Sequence, residues 1–204
     1  LHCGDIKKKF SYQLAKISLS ENNRAILENA VADYFKISEL LAEDKKPTLD
    51  ALTSLSGTLQ KVNMKTMSEE VHLALMKEIM AVKKATESIN EKSTLKDYRK
   101  SFATVSSSFI SLMKLFPFIK KDSFVLNCPM AFDGKGANWR QLNKKTNNPY
   151  LGLEMQACGD VKSSFKALIR NPEKVEKKPP KWIQSILNQP RQEVDLSNIK
   201  TAEK

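Results

Sequence analysis

From Ser20 to Phe116 the apolar positions recur at intervals of three and four, the period of an amphipathic helix. Leu27, Val31, Tyr34, Ile37 and Leu41 form the first stripe and predict a helix over 21–43. Ser20 stands at its N-cap with Glu21 in the first turn. Asp44-Lys45-Lys46-Pro47 ends it, because the residue before a proline is pushed out of the helical region. Leu49, Leu52, Leu55, Leu59 and Val62 predict a second helix over 48–65, inside which Gly57 costs about 1 kcal/mol. A third is predicted over 68–90, behind Ser68, with Glu69 and Glu70 in its first turn and His72, Leu75, Met76, Ile79, Val82 and Ile89 along its stripe. The fourth, over 94–116, repeats Tyr98, Phe102, Val105, Phe109, Leu112 and Phe116 before Pro117 stops it.

Short connections between long amphipathic helices favour antiparallel neighbours, so the fold class is mainly α: an antiparallel four-helix bundle. An irregular Cys/Met-containing segment with minor β structure follows. In it Ser123-Phe124-Val125-Leu126 reads as a short strand, Gly134-Lys135-Gly136 as a turn, and Val161 to Ile169 as one more short helix. The organisation is an N-terminal tether over 1–20, the bundle with its packed segment over 21–169, and a basic, Pro-containing tail over 170–204. Pro172, Pro179 and Pro180 among lysines stiffen that tail, and Trp182 to Leu187 has the pattern of a helical turn or two.

Composition adds constraints. The 204 residues are 41% hydrophobic and 28% charged, an ordinary balance for a globular chain. The net charge of +11 comes mainly from dispersed lysine pairs, with arginine at 24, 99, 140, 170 and 191 alone. Nucleic-acid binders concentrate Arg and aromatics on one face, so a solvated lysine surface is the reading here and no nucleic acid is expected as a partner. Attraction to an anionic membrane surface remains compatible with such charge. No run of about 18 apolar residues spans a bilayer. Leu1-His2-Cys3-Gly4-Asp5 reads as the end of a bacterial lipoprotein signal, with Cys3 as the lipid-bearing first mature residue; the alternative is a free cysteine in a frayed terminus. Anchoring through Cys3 would make the chain an exported, periplasmic or outer-membrane lipoprotein.

Enzyme signatures are sparse. Histidine occurs only at 2 and 72, no phosphate-binding glycine loop is present, and no pair of histidines stands at zinc-hydrolase spacing. Sulfur is the informative element. Cys128-Pro129-Met130 places two sulfur side chains two residues apart, on one side of an extended chain. Met155 and Cys158 share a face if Met155-Gln156-Ala157-Cys158 is a helical turn. Two thiolates and two thioethers that meet suit Cu(I) or Ag(I), whereas zinc prefers Cys and His. The competing reading is a Cys128–Cys158 disulfide with Met130 and Met155 as core fillers, and spacing alone favours it. His72 and Met76, one turn apart, are further candidate ligands, although a histidine on an apolar stripe is more often a packed residue.

Several motifs in order carry a resemblance. They are Val71-His72 with Met76-Lys77-Glu78; Arg99-Lys100-Ser101-Phe102 leading to Val105-Ser106; Cys128-Pro129-Met130-Ala131; Gly136-Ala137 with Trp139; Asn148-Pro149-Tyr150 with Gly152; and Met155 with Cys158-Gly159. Over roughly 34–165 the chain resembles an uncharacterised domain family of bacterial exported proteins. That domain is also fused to the C-terminal end of periplasmic adaptor subunits of copper/silver efflux pumps. The adaptor's barrel and hairpin domains are missing, and Ala131 stands where the adaptors' Cys-Pro-Met-His motif has its histidine. The resemblance implies a helical bundle, export and a role in copper or silver handling, with a metal-efflux component as partner. It moves the balance from the disulfide toward a non-enzymatic Cu(I) or Ag(I) site at Cys128, Met130, Met155 and Cys158, with His72 and Met76 as additional ligands. The alternative is a disulfide-stabilised structural domain that docks on a partner without metal.

Overall fold

A computed structural model describes residues 19–116 and 121–167. The expected lipidation residue Cys3, most of the tether, Pro117 and the whole of the 170–204 tail lie outside the described residues. Four long helices come first: α1 (Glu21–Ala42), α2 (Leu49–Gln60), α3 (Glu69–Glu87) and α4 (Leu95–Leu115). Three of the starts are set by side-chain caps, while at α3 the expected cap Ser68 makes no side-chain cap hydrogen bond. Ser20 Oγ accepts the Asn23 N–H at 3.2 Å, Thr48 Oγ1 accepts the Ala51 N–H at 3.1 Å, and Thr94 with Asp97 closes a reciprocal capping box. Two helices end earlier than expected. After Gln60 the backbone tightens, and the Asn23 side chain takes both the N–H and the C=O of Asn63 at 2.9 and 2.7 Å. The hydroxyls of Thr86 and Ser88 bond back to preceding carbonyls and close α3 at Glu87.

α1 packs on α2 and α4, α2 on α3, and α3 on α4. Most of the predicted stripe positions form the core: Leu27, Tyr34, Leu41, Leu55, Leu59, Leu75, Val82, Phe102, Phe109 and Leu112 are all buried, whereas on α3 His72 is exposed, Met76 half-buried, and Val71 takes the core position. Each such side chain contributes about 1.5–3 kcal/mol relative to exposure. Tyr34 stacks on both Phe102 and Phe109, with ring centroids 5.3 and 4.8 Å away. No described helix is long and apolar enough to cross a membrane.

A small antiparallel sheet follows, in the order β2-β1-β3, with β1 (Ser123–Cys128) central, β2 (Ala137–Gln141) and β3 (Asp160–Phe165). β1 runs to Cys128, beyond the expected Leu126. β3 replaces the short helix expected from Val161. Its serines are weak helix formers and its backbone completes the ladder of β1, pairing Ser123 with Phe165 and Asn127 with Asp160. β2 is an edge strand and packs against α4 and α1. There the Tyr34 hydroxyl accepts the Arg140 N–H at 2.9 Å and exchanges a 2.8 Å hydrogen bond with Ser106 Oγ, satisfying an edge amide that would otherwise be buried unpaired. The Arg140 guanidinium is buried too. It donates to Ser123 Oγ from Nε and Nη2 and stacks 4.1 Å from the Phe165 ring centroid, while Nη1 has no partner. Burial brings the Arg140 pKa down to about 10.

Candidate functional site

Cys128 closes β1 with its side chain in the core. Beyond it the chain must reverse within a few residues to start β2. Phe132, Asp133, Gly134 and Gly136 all take positive φ, and the Gly136 N–H reaches Ala131 O at 2.9 Å. A phenylalanine in this region is strained, and its ring packs edge-on against Tyr150 at 5.4 Å. The reversal sets Met130 on the surface at 53% exposure.

Cys158 arrives on a second loop, whose centre is the buried Asn148. The Asn148 carboxamide oxygen accepts the Tyr150 and Leu151 N–H groups, while its amide donates to Cys158 O at 2.7 Å. The 3-10 turn Gly152–Met155 follows, and the Cys158 N–H bonds Met155 O at 2.9 Å. Met155 and Cys158 therefore belong to one tight turn, with Met155 37% exposed. Gly159, at φ +129, lets the chain pass over the Trp139 ring, where a Cβ would come within 2.6 Å of the indole. Trp139 is fixed in turn by its Nε1–H on Gln141 Oε1 at 2.9 Å.

These constraints bring the two cysteines together. Cys128 and Cys158 are free thiols with Sγ atoms 3.3 Å apart, joined by a thiol hydrogen bond. The hydrogen bond with Cys128 pushes the Cys158 pKa up, and partial burial and the neighbouring charges of Cys128 and Asp160 add to it. A backbone N–H from Met130 opposes that rise. The Cys158 thiolate is thus disfavoured while Cys128 lies against it. Among the described residues no three His, Cys, Asp or Glu side chains gather as a metal cage.

The loop is anchored to the helices by a clamp that sequence reasoning left without a role. Arg99 of α4 donates from Nε to Pro149 O at 3.0 Å and from Nη2 to Leu41 O and the Asp44 carboxylate. Asp44 also accepts the Leu153 N–H at 3.2 Å. The Arg99 hydrogen bond holds the Asp44 carboxyl below its ordinary range. An arginine in a lysine-rich chain is the available signal, since its planar fork serves several carbonyl and carboxylate acceptors at once.

His72 and Met76 are elsewhere. They lie on α3, whose packing partners are α2 and α4, with His72 exposed and Met76 half-buried. Ala85 is a point where α3 is tied to α4. Its carbonyl accepts from Ser101, next to Phe102, which packs against Tyr150. His72 is thirteen residues from Ala85 in sequence, roughly 20 Å along the helix axis at 1.5 Å per residue. The structure brings Cys128 and Cys158 together.

Residues 30–121 match the model of a family described as a protein of unknown function (DUF3347). The match ends before β1, so both cysteines lie outside it. No curated protein and no solved structure matches the chain.

Proposed function

We propose that this chain is a non-enzymatic, exported protein that binds and hands on a soft monovalent ion, Cu(I) or Ag(I), at the Cys128/Cys158 thiol pair. The observation that carries the reading is the 3.3 Å separation of two free thiols in a segment where Met130 and Met155 also reach solvent. Soft ions select thiolate and thioether sulfur. Loading exchanges protons for metal: two thiols and one Cu(I) give a bis-thiolate complex of net charge −1 and two released protons. The ion removes the mutual repulsion that keeps the second thiol protonated. Met130 and Met155 supply neutral thioethers at the rim. In this reading α1 to α4 form an up-and-down antiparallel bundle that serves as scaffold, Cys3 carries a lipid at the membrane, and a metal-efflux component receives the ion.

The same short separation supports a second reading, a structural disulfide domain that docks on a partner without metal. The sulfurs need only close to about 2.0 Å. Two thiols then lose two protons and two electrons, which a disulfide-bearing oxidant takes up. Competition for Cu(I) against a chromophoric chelator separates the two. The reduced chain should hold about one tightly bound Cu(I), and Cys128→Ser or Cys158→Ser should lose most of that affinity, because a hydroxyl is a hard, protonated ligand. Met130→Leu or Met155→Leu should weaken it less. Equal retention by the reduced chain and Cys128→Ser leaves the disulfide reading in place.

A further inference from the structure

We propose a second soft-cation site on the outer face of α3, formed by His72, Met76 and Met80 and independent of the cysteines. The three residues stand at i, i+4 and i+8, so successive pairs face each other one helical turn apart. Two ligands at i and i+4 on one helix can hold a single metal ion, as in zinc-binding helices. A methionine on a helix is ordinarily core filler, but here the core face of α3 is made by Val71, Leu75, Ile79 and Val82. Met80 is 50% exposed, His72 is exposed and Met76 half-buried, so these side chains are offered to solvent rather than spent on packing.

The exposed large hydrophobics of the described residues reinforce the point. Met130, Leu153, Met155 and Val161 belong to the cysteine segment, and the others are Leu73 and Met80 on α3. Exposed methionine therefore occurs in two places, and each has a further soft donor beside it. Leu73 gives the stripe an apolar border. One imidazole nitrogen with neutral thioethers is a donor set for Cu(I) or Ag(I) and a poor one for hard cations.

The chemistry differs from that of the thiol pair in a way that can be read out. No ligand at the α3 stripe forms a disulfide, so it loads whether Cys128 and Cys158 are reduced or oxidised. Neutral thioethers bring no charge, so it holds the ion more weakly than two thiolates. The test is Ag(I) titration of the full chain carrying Cys3→Ser, Cys128→Ser and Cys158→Ser, followed by methyl resonances of methionine and the ring resonances of His72. The disulfide-oxidised wild-type chain is the second background, since Cys128 is buried and its loss can affect folding. The expected result is one Ag(I) equivalent that shifts Met76, Met80 and His72. His72→Ala and Met76→Leu with Met80→Leu should each lower the affinity at least about tenfold, since even an indirect partner of a metal ligand is worth that much. These surface substitutions leave the helical circular dichroism unchanged. Unmoved α3 resonances in both backgrounds, or shifts confined to Met130 and Met155, overturn the proposal. Neither outcome bears on the thiol pair, which the reduced chain tests separately.

Discussion

Gly152→Ala probes the clamp that holds the cysteine loop. Gly152 has φ +59, and a Cβ there would overlap both the Asp44 carboxylate and the Arg99 guanidinium. Two costs add. An alanine in the left-handed region costs about 1–2 kcal/mol. Displacing Asp44 from Arg99 and the Leu153 N–H forfeits charge-assisted hydrogen bonds worth about 1.5–3 kcal/mol when buried. The Asp44 side chain is 39% exposed, which discounts that second term to about 1 kcal/mol. The sum is about 2–3 kcal/mol, or roughly 5–10 °C in Tm for a chain of this size. Gly134→Ala is the control, because Gly134 has φ +82 but open space where its Cβ would go, so it carries the backbone cost alone. The assay is urea unfolding of both variants, with the rate at which Cys158 reacts with a thiol reagent. Gly152→Ala should be the less stable by about 1 kcal/mol, and only it should speed the thiol reaction. Equal losses in the two variants, with unchanged thiol reactivity, would refute the clamp.

Tyr34→Phe strips the partner from the buried Arg140 N–H and Ser106 hydroxyl and should cost about 1–3 kcal/mol by denaturant unfolding, far more than Tyr98→Phe. Burial pushes the Tyr34 phenol up to about 12. Its folded pKa lies above the ordinary value of about 10, so its contribution is complete below that pH and is lost as pH rises through 12. Phenolate absorbance should rise late and together with unfolding, and Tyr34→Phe should flatten that alkaline limb. Asp44 has the opposite sign. Its pKa is lowered, so its contribution is present at neutral pH and is lost as pH falls through the lowered value; Arg99→Ala should show a shallower acid limb in pH-dependent unfolding. Cu(I) affinity at the thiol pair should fall as pH falls, by up to about two orders of magnitude per unit for two displaced protons, and a pH-independent affinity would speak against thiolate ligation.

The helices were legible because their evidence is local: stripes at three and four, Ser and Thr caps, and Pro47 each act within a turn or two. β3 departs from the helix that its sequence predicts for the converse reason. Six residues ending in Val161-Lys162-Ser163-Ser164-Phe165 fit either period, and their state is decided by the ladder with β1, more than thirty residues back. Cysteine identity and order marked Cys128 and Cys158 as partners, yet their meeting depends on Gly159 passing over Trp139 and on Asn148 organising the loop. The Arg99–Asp44 contact joins residues 55 apart in sequence, and no periodicity announces it. Chemistry alone grouped His72 and Met76 with the cysteines; they lie on α3, whose main packing partners are α2 and α4.

X-ray absorption at the copper edge addresses the thiol site most directly. The reduced chain, loaded with well under one equivalent of Cu(I), should show a first shell of sulfur alone. The same loading on the chain carrying Cys3→Ser, Cys128→Ser and Cys158→Ser should lose the short thiolate distances and acquire nitrogen from the weaker His72 stripe. A shell of nitrogen or oxygen in the reduced wild-type chain, or identical spectra from the two proteins, would contradict the account.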